Sequence, residues 1–283
     1  MSSRAAGRRM TSKDHHVVTL MGRLGNQLFQ YSFAEWLAST SGIPVRYDLS
    51  YLRSLNQLPD KFRDEIEGNI EPGSAHWPTV GGKFDRAARL MRMAKRPTTI
   101  NFDLSSRGPY LASAPVPSWW VGYWQRLSYA EEAKNQLTAI FDIKPEVIDK
   151  ERPTCVVHVR RGDYVGLGLA QSAGWYSNAM RAISANTPDV RFIVISDDRA
   201  WCRTAFKPAE DLTIGEEADL LDDLRLLARS DFAILSRSTF AWWGAFLGTP
   251  QAYYPFPWDS ADNVLKNTLI PAHWHPLPVS LHS

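Results

Sequence analysis

"VVHVRRGDYVG", residues 156–166, begins as a strand buried on both faces and ends as a surface. Val156, Val157 and Val159 belong to an apolar run. Arg160, Arg161, Asp163 and Tyr164 follow with no spacer. The plain reading is a strand end trimmed by a surface ion pair. The sharper reading is a site for an anion. The neighbouring strands decide between them, because in an open parallel sheet ligands sit at the carboxyl ends of the strands.

Around this stretch, apolar strands alternate with helices. "TCVVHV" (154–159), "VRFIVI" (190–195), "DFAIL" (231–235) and "QAYYP" (251–255) read as strands. "GWYSNAMRAISANT" (174–187), "SDDRAWCRTAF" (196–206), "GEEADLLDDLRLLARS" (215–230) and "STFAWWGAFLG" (238–248) read as helices. This alternation predicts a parallel sheet covered on both faces. Upstream, "VVTLM" (17–21), the glycine turn "GRLGNQ" (22–27), a helix over 26–40 and "IPVRYD" (43–48) form a second βαβ unit. "SWWVGYWQ" (118–125) reads as a strand, with a helix from Ser128 to about Phe141. The polar, proline-containing segment 142–154 is the best domain boundary. The expected division is a basic, disordered lead-in over 1–14, an acceptor-side domain over 15–150 and a nucleotide-sugar domain over 151–283. Residues 49–81 read as irregular.

Composition excludes several classes. At 283 residues with 44% hydrophobic side chains, the chain can bury a real core in one large or two medium α/β domains. A net charge of +2 makes a general polyanion binder untenable, so nucleic acid is not an expected partner. The two cysteines, Cys155 and Cys202, show neither disulfide nor zinc spacing, which fits a reducing compartment. The N-terminus has no apolar segment of the secretory kind. No apolar run reaches the ~18 residues of a membrane span, and "FAILSRSTFAWWGAFLG" is interrupted by Arg237. A cytoplasmic protein is expected. "KFDRAARLMRMAKR" (83–96) carries Lys83, Arg86, Arg89, Arg92 and Arg96 on one helical face. It reads first as a solvated face, and otherwise as a peripheral contact with an anionic inner membrane. Eleven tryptophans belong mostly in a core, and a surplus also suits sugar recognition.

Three strand ends then share one edge. Arg160, Arg161 and Asp163 follow the first strand, Ser196 and Asp197 the second, and Ser236, Arg237, Ser238 and Thr239 the third, at a helix start. Guanidiniums and helix N-termini favour phosphate. A carboxylate beside them suits a base edge or a sugar hydroxyl. By type alone, the serines and Asp197 are also good helix caps. With no GK[ST] loop, nucleotide triphosphate hydrolysis is not expected. With no Asp-x-Asp, arginine and helix dipole rather than a metal ion would neutralise a diphosphate. Transfer of a sugar from a nucleotide fits this set.

These segments resemble the bacterial α-1,2-fucosyltransferases of glycosyltransferase family 11, over about Val17 to Leu277. The resemblance rests on "GRLGNQLFQYSFAEWLA" (22–38), "GYWQRLSY" (122–129), "HVRRGDY" (158–164), "ISDDRAWC" (195–202) and "DLRLLARSDFAILSRSTFAWWGAFLG" (223–248). It implies a GT-B fold of two Rossmann-like domains, with mostly parallel sheets facing a central cleft. It implies GDP-fucose as donor, a galactose-containing glycan as acceptor, inversion at the anomeric carbon, and no metal or cofactor. Carried over, Arg160 holds the β-phosphate, and His158 and Asp197 meet guanine. Ser238, Thr239 and Phe240 line the diphosphate, and Gly25 and Asn26 close on the donor from the other domain. Arg161 is support or a second clamp, and Asp163 is either the base or the group that orients an arginine. Glu35 and Asp48 are more distant candidates for the base. The chain departs from the family pattern at Arg23, at Ser230 where cysteine is common, and at Arg237 where asparagine is usual. Arg237 would add a phosphate contact or pair with an acid. Other readings are transfer of a different GDP-sugar, or a sugar-nucleotide-binding module without turnover.

Overall fold

The computed structural model describes residues 14–52, 57–72, 74, 99–103, 116–144, 146–207, 210–216, 218–258 and 268–279. The basic helix expected over 83–96 and all of the lead-in except Asp14 lie outside the described residues. The chain divides into two compact units, Met1–Ala133 and Lys134–Ser283.

The first unit runs β1 (His16–Thr19), α1 (Leu24–Ser41), β2 (Val45–Asp48), α2 (Asp60–Glu67), β3 (Thr99–Asp103) and β4 (Ser118–Gly122). The sheet order is β2-β1-β4-β3 and every pair is parallel. The turn into α1 needs a glycine at one point. Gly22 has φ +77°, and a Cβ there would meet Asn26 Nδ2 at 2.6 Å. Two buried glutamines of α1 fix this turn. Gln27 Nε2 donates to the Gly22 carbonyl at 3.0 Å, and Gln30 accepts from Met21 N–H while donating to the Gly122 carbonyl. The helix stops at Gly42, whose left-handed backbone lets its N–H reach the Ala38 carbonyl. Phe33 stacks on Trp124 with centroids 4.4 Å apart.

Helix α3 (Leu127–Ile140) contains the point of division between the units. The second unit then runs β5 (Thr154–Val159), α4 (Gly162–Gly166), α5 (Ala173–Ser184), β6 (Arg191–Ser196), α6 (Arg199–Ala205), β7 (Leu212–Ile214), α7 (Leu220–Ala228), β8 (Phe232–Ile234), α8 (Thr239–Gly248), β9 (Gln251–Phe256) and β10 (His275–Pro278). The sheet order is β10-β9-β8-β5-β6-β7, again all parallel. All six residues of β5 are buried, as an inner strand covered on both faces requires. Val157, Val159 and Val194 pack with Trp175, Tyr176 and Phe192. Each such side chain contributes about 1.5–3 kcal/mol on burial. Ser172 caps α5 by accepting from Trp175 N–H.

From β5 the chain winds outward to β6 and β7. It then returns to the other side of β5 and winds out through β8, β9 and β10. The strand order therefore reverses between β5 and β8. That is the doubly wound Rossmann arrangement, and its crevice for ligands lies at the reversal. Two parallel α/β units are what the GT-B class expects.

Most of the tryptophan surplus is core. Trp119, Trp120, Trp124, Trp175, Trp242, Trp243, Trp258 and Trp274 are buried. A sugar platform built from them is therefore not available on the surface.

Candidate active site

The residues that follow β5, β6 and β8 meet at the reversal of the second sheet. Strand β5 pairs directly with both β6 and β8, so the three carboxyl ends are neighbours. Arg160 leaves β5 with its side chain 14% exposed. Its Nη2 pairs with Asp163 Oδ1 at 2.5 Å and its Nη1 with Asp197 Oδ2 at 2.8 Å. Its guanidinium also stands 5.4 Å from the centre of the Tyr164 ring. Gly162 makes this approach feasible, because a Cβ there would sit 2.7 Å from Asp197 Oδ2.

Arg161 turns elsewhere. Its Nε donates to Asp198 Oδ2 at 3.2 Å, and its guanidinium stacks 3.9 Å over the Trp201 ring. Only its backbone N–H joins the Arg160 group, donating to Asp197 Oδ1 at 2.8 Å. The Arg161 side chain is thus held on α6, turned away from Arg160. The pairing leaves two arginines with three aspartates, one net negative charge.

The cap assignment from sequence needs correction. Asp198, not Asp197, caps α6, accepting from Trp201 N–H at 3.0 Å. The next residue in from the strand is thereby released to bind Arg160. Ser238 stands at the N-cap position of α8 with no side-chain cap hydrogen bond. Ser236 is buried and lies 2.8 Å from His158 Nδ1. Burial pushes the His158 imidazole down to about 4, with Asp197 opposing and Arg160 reinforcing the shift. His158 is therefore neutral at physiological pH. Phe240 lies at a ring distance of 5.8 Å from it.

Arg237 makes the connection that the sequence left open. Its Nη2 donates to the Pro257 carbonyl at 2.9 Å, and its own carbonyl accepts from Tyr164 OH at 3.2 Å. It ties the loops after β5, β8 and β9 together. Sequence reasoning missed the parts of Tyr164, Trp201 and Asp198. Tyr164 lies in the same motif as Arg160, which was the available signal, whereas Trp201 and Asp198 become partners only through packing.

Gly25 and Asn26 lie in the first unit, at the head of α1, where Asn26 Oδ1 accepts from Gln125 Nε2 at 3.1 Å. Glu35 and Asp48, the distant candidates for the base, also lie in the first unit, and the remaining candidates belong to the second. Asp48 is buried and accepts from the Ser50 and Thr19 hydroxyls at 2.9 and 3.2 Å. Glu35 accepts from Tyr47 OH at 3.1 Å, and burial raises its carboxyl above the ordinary range. Both acids are thus engaged within the first unit. Among the described residues, no group of three or more His, Cys, Asp or Glu side chains is placed to hold a metal ion. Among them also, no helix is long and apolar enough to cross a membrane.

A doubly wound parallel sheet with an arginine–carboxylate group at its reversal defines the broad class, an α/β protein. The family follows from the sequence. The profile of glycosyl transferase family 11 matches residues 105–274, more than half of the chain, and the chain belongs to that family. An α-1,2-colitosyltransferase of Escherichia coli is 27% identical, over 91% of this chain and 97% of its own. A galactoside α-(1,2)-fucosyltransferase 2 of Oryctolagus cuniculus is 23% identical, over 87% of this chain and 70% of its own. Among solved structures, the fucosyltransferase NodZ from Bradyrhizobium superposes with a TM-score of 0.45 at 12% identity, covering 84% of this chain and 94% of that one.

Proposed function

We propose that this family 11 glycosyltransferase moves L-fucose from GDP-fucose to the 2-hydroxyl of a galactoside, in a glycan such as an O-antigen, at the cytoplasmic side. The observation that carries the reading is Arg160, held by two carboxylates at the sheet reversal. The relatives' names support the α-1,2 linkage.

In this reading the acceptor oxygen attacks the anomeric carbon as its bond to the β-phosphate oxygen breaks, and the electron pair leaves with GDP. Negative charge grows on the diphosphate, where Arg160 and the head of α8, with Ser238 and Thr239, stabilise it. Neutral His158, next to Ser236 and Phe240, offers a ring nitrogen to guanine, and Asp197 keeps Arg160 aimed. The Asp163 ion pair supports its role as an orienter of Arg160, and Asp163 is also the carboxylate proposed to take the acceptor proton. No metal ion takes part, so transfer persists in EDTA.

Arg160→Ala tests the assignment. Loss of a preorganised donor of this kind costs on the order of 10²–10³ in rate. The variant should remain folded, with transfer close to abolished; turnover like the wild type would refute the phosphate role. A second reading has one specific support, the colitosyl donor sugar in the name of a relative covering 91% of the chain. Released GDP, scored for GDP-fucose against GDP-colitose on a galactoside array, separates the two. Binding of GDP with no transfer to any acceptor would indicate a non-catalytic module instead.

A further inference from the structure

Both terminal nitrogens of Arg160 already carry an anion. Asp163 is on Nη2 and Asp197 is on Nη1. These are the nitrogens a guanidinium turns to a phosphate in forked contact. A diphosphate that approaches this arrangement meets a cation matched by two carboxylates, within a group of one net negative charge.

The two carboxylates are not equivalent. Asp197 follows an inner strand, its side chain is 28% exposed, and it is held a second time by the Arg161 N–H. It also occupies the space that Gly162 leaves by lacking a Cβ. Asp163 sits in the first turn of the five-residue helix α4 with its side chain 49% exposed. Of the two carboxylates on the largely buried Arg160 guanidinium, that of Asp163 is the more open to water, and a solvent-facing pair contributes less than a buried one.

We infer that Asp163 holds the diphosphate's place on Arg160 Nη2, and that GDP binding displaces it while Asp197 stays. This rests on the reading of the site as one for a GDP-sugar. Until a diphosphate arrives, Asp163 keeps Arg160 in place. In the product complex the exchange runs backward, and the returning carboxylate helps GDP to leave. Asp163 then opposes donor and product binding, although it supports the arginine that binds them.

The sign of a mutation separates this from simple support. Removing a supporting residue weakens GDP binding, whereas removing a competitor strengthens it. Asp163→Asn and Asp163→Ala should each bind GDP roughly two- to fivefold more tightly by calorimetry, the range expected from one exposed ion pair. GDP should also dissociate more slowly from both. Asp197→Asn should act in the opposite direction. In crystals of the wild type with GDP, Asp163 should stand beyond about 4 Å from Arg160, the limit of an ion pair, with Asp197 still in contact. Equal or weaker GDP binding by both Asp163 variants, at unchanged melting temperature, overturns the inference and leaves the donor site standing. So does a GDP complex in which both carboxylates remain on Arg160. Absence of GDP binding to the wild type, with UDP as the comparison, overturns the inference together with the donor reading.

Discussion

His158 shows how one residue can be legible in position yet not in state. The sequence places it two residues before Arg160 on a buried strand. Only packing makes it neutral, because β5 removes it from water. Its folded value of about 4 lies below the ordinary 6.5. Between those values the unfolded chain binds more protons than the folded one, so stability is complete above about pH 6.5 and falls as pH drops toward 4. The loss approaches about 3 kcal/mol at the lower end. Urea unfolding of the wild type between pH 7 and 4.5 should therefore fall more steeply than that of His158→Asn. Parallel slopes would show that His158 is not the titrating group. Asp197 and Asp198 teach the complementary lesson. Side-chain type makes either a good cap, and one peptide unit of geometry decides which one caps and which one binds Arg160.

At the scale of elements, the sequence performs best where burial is complete. The reading of 154–159 as a strand coincides with β5, and 238–248 lies within one residue of α8. Elements on the sheet margins escape it. Strand β7 has three residues, and β10 reads "HPLP", with two prolines that argue against a strand. Both are edge strands, where an unpaired side tolerates proline. Helix α2 hides in the stretch read as irregular, because its eight residues bury only Phe62 and Ile66, too few to show a period. The helix pair α7–α8 depends on the absence of side chains. A Cβ on Gly244 would meet Leu227 Cβ at 2.6 Å, and one on Gly248 would meet the Ala228 carbonyl oxygen at 2.2 Å. Gly244→Ala gains about 1 kcal/mol of helix propensity, but overpacking costs about 1–3 kcal/mol. Net destabilisation in urea is expected, larger for Gly244→Val. A stabilised alanine variant would show that the two helices can separate freely.

For the whole molecule, the reversal of strand order in the second unit matters more than any single motif. It brings three loops together that are spread from Arg160 to Phe240 along the chain. GDP should therefore protect amides in three separate segments, 158–164, 196–198 and 236–240, in hydrogen exchange. At one hundred times its dissociation constant, it should stabilise the protein by about 2.7 kcal/mol. Protection confined to the first unit would place the nucleotide elsewhere. The near-neutral net charge of +2 fits this picture, since the arginines of the site are matched locally by aspartates.

The sequence by itself determined the alternation of strands and helices, the two βαβ systems, the family, and the set of residues at the strand ends. Each follows from local periodicity, turn chemistry or a short motif, and so is written in residues close together. The tertiary structure alone decided the partners. It set Arg160 between Asp163 and Asp197, laid Arg161 on Trp201, and tied Arg237 to the Pro257 carbonyl. A guanidinium pairs with whichever acceptors lie within about 3 Å of its nitrogens. That distance is fixed by strand order and register, which bring together residues far apart in the chain. The stretch that opened as a strand ending in charge is therefore a buried strand whose first arginine is held between two carboxylates.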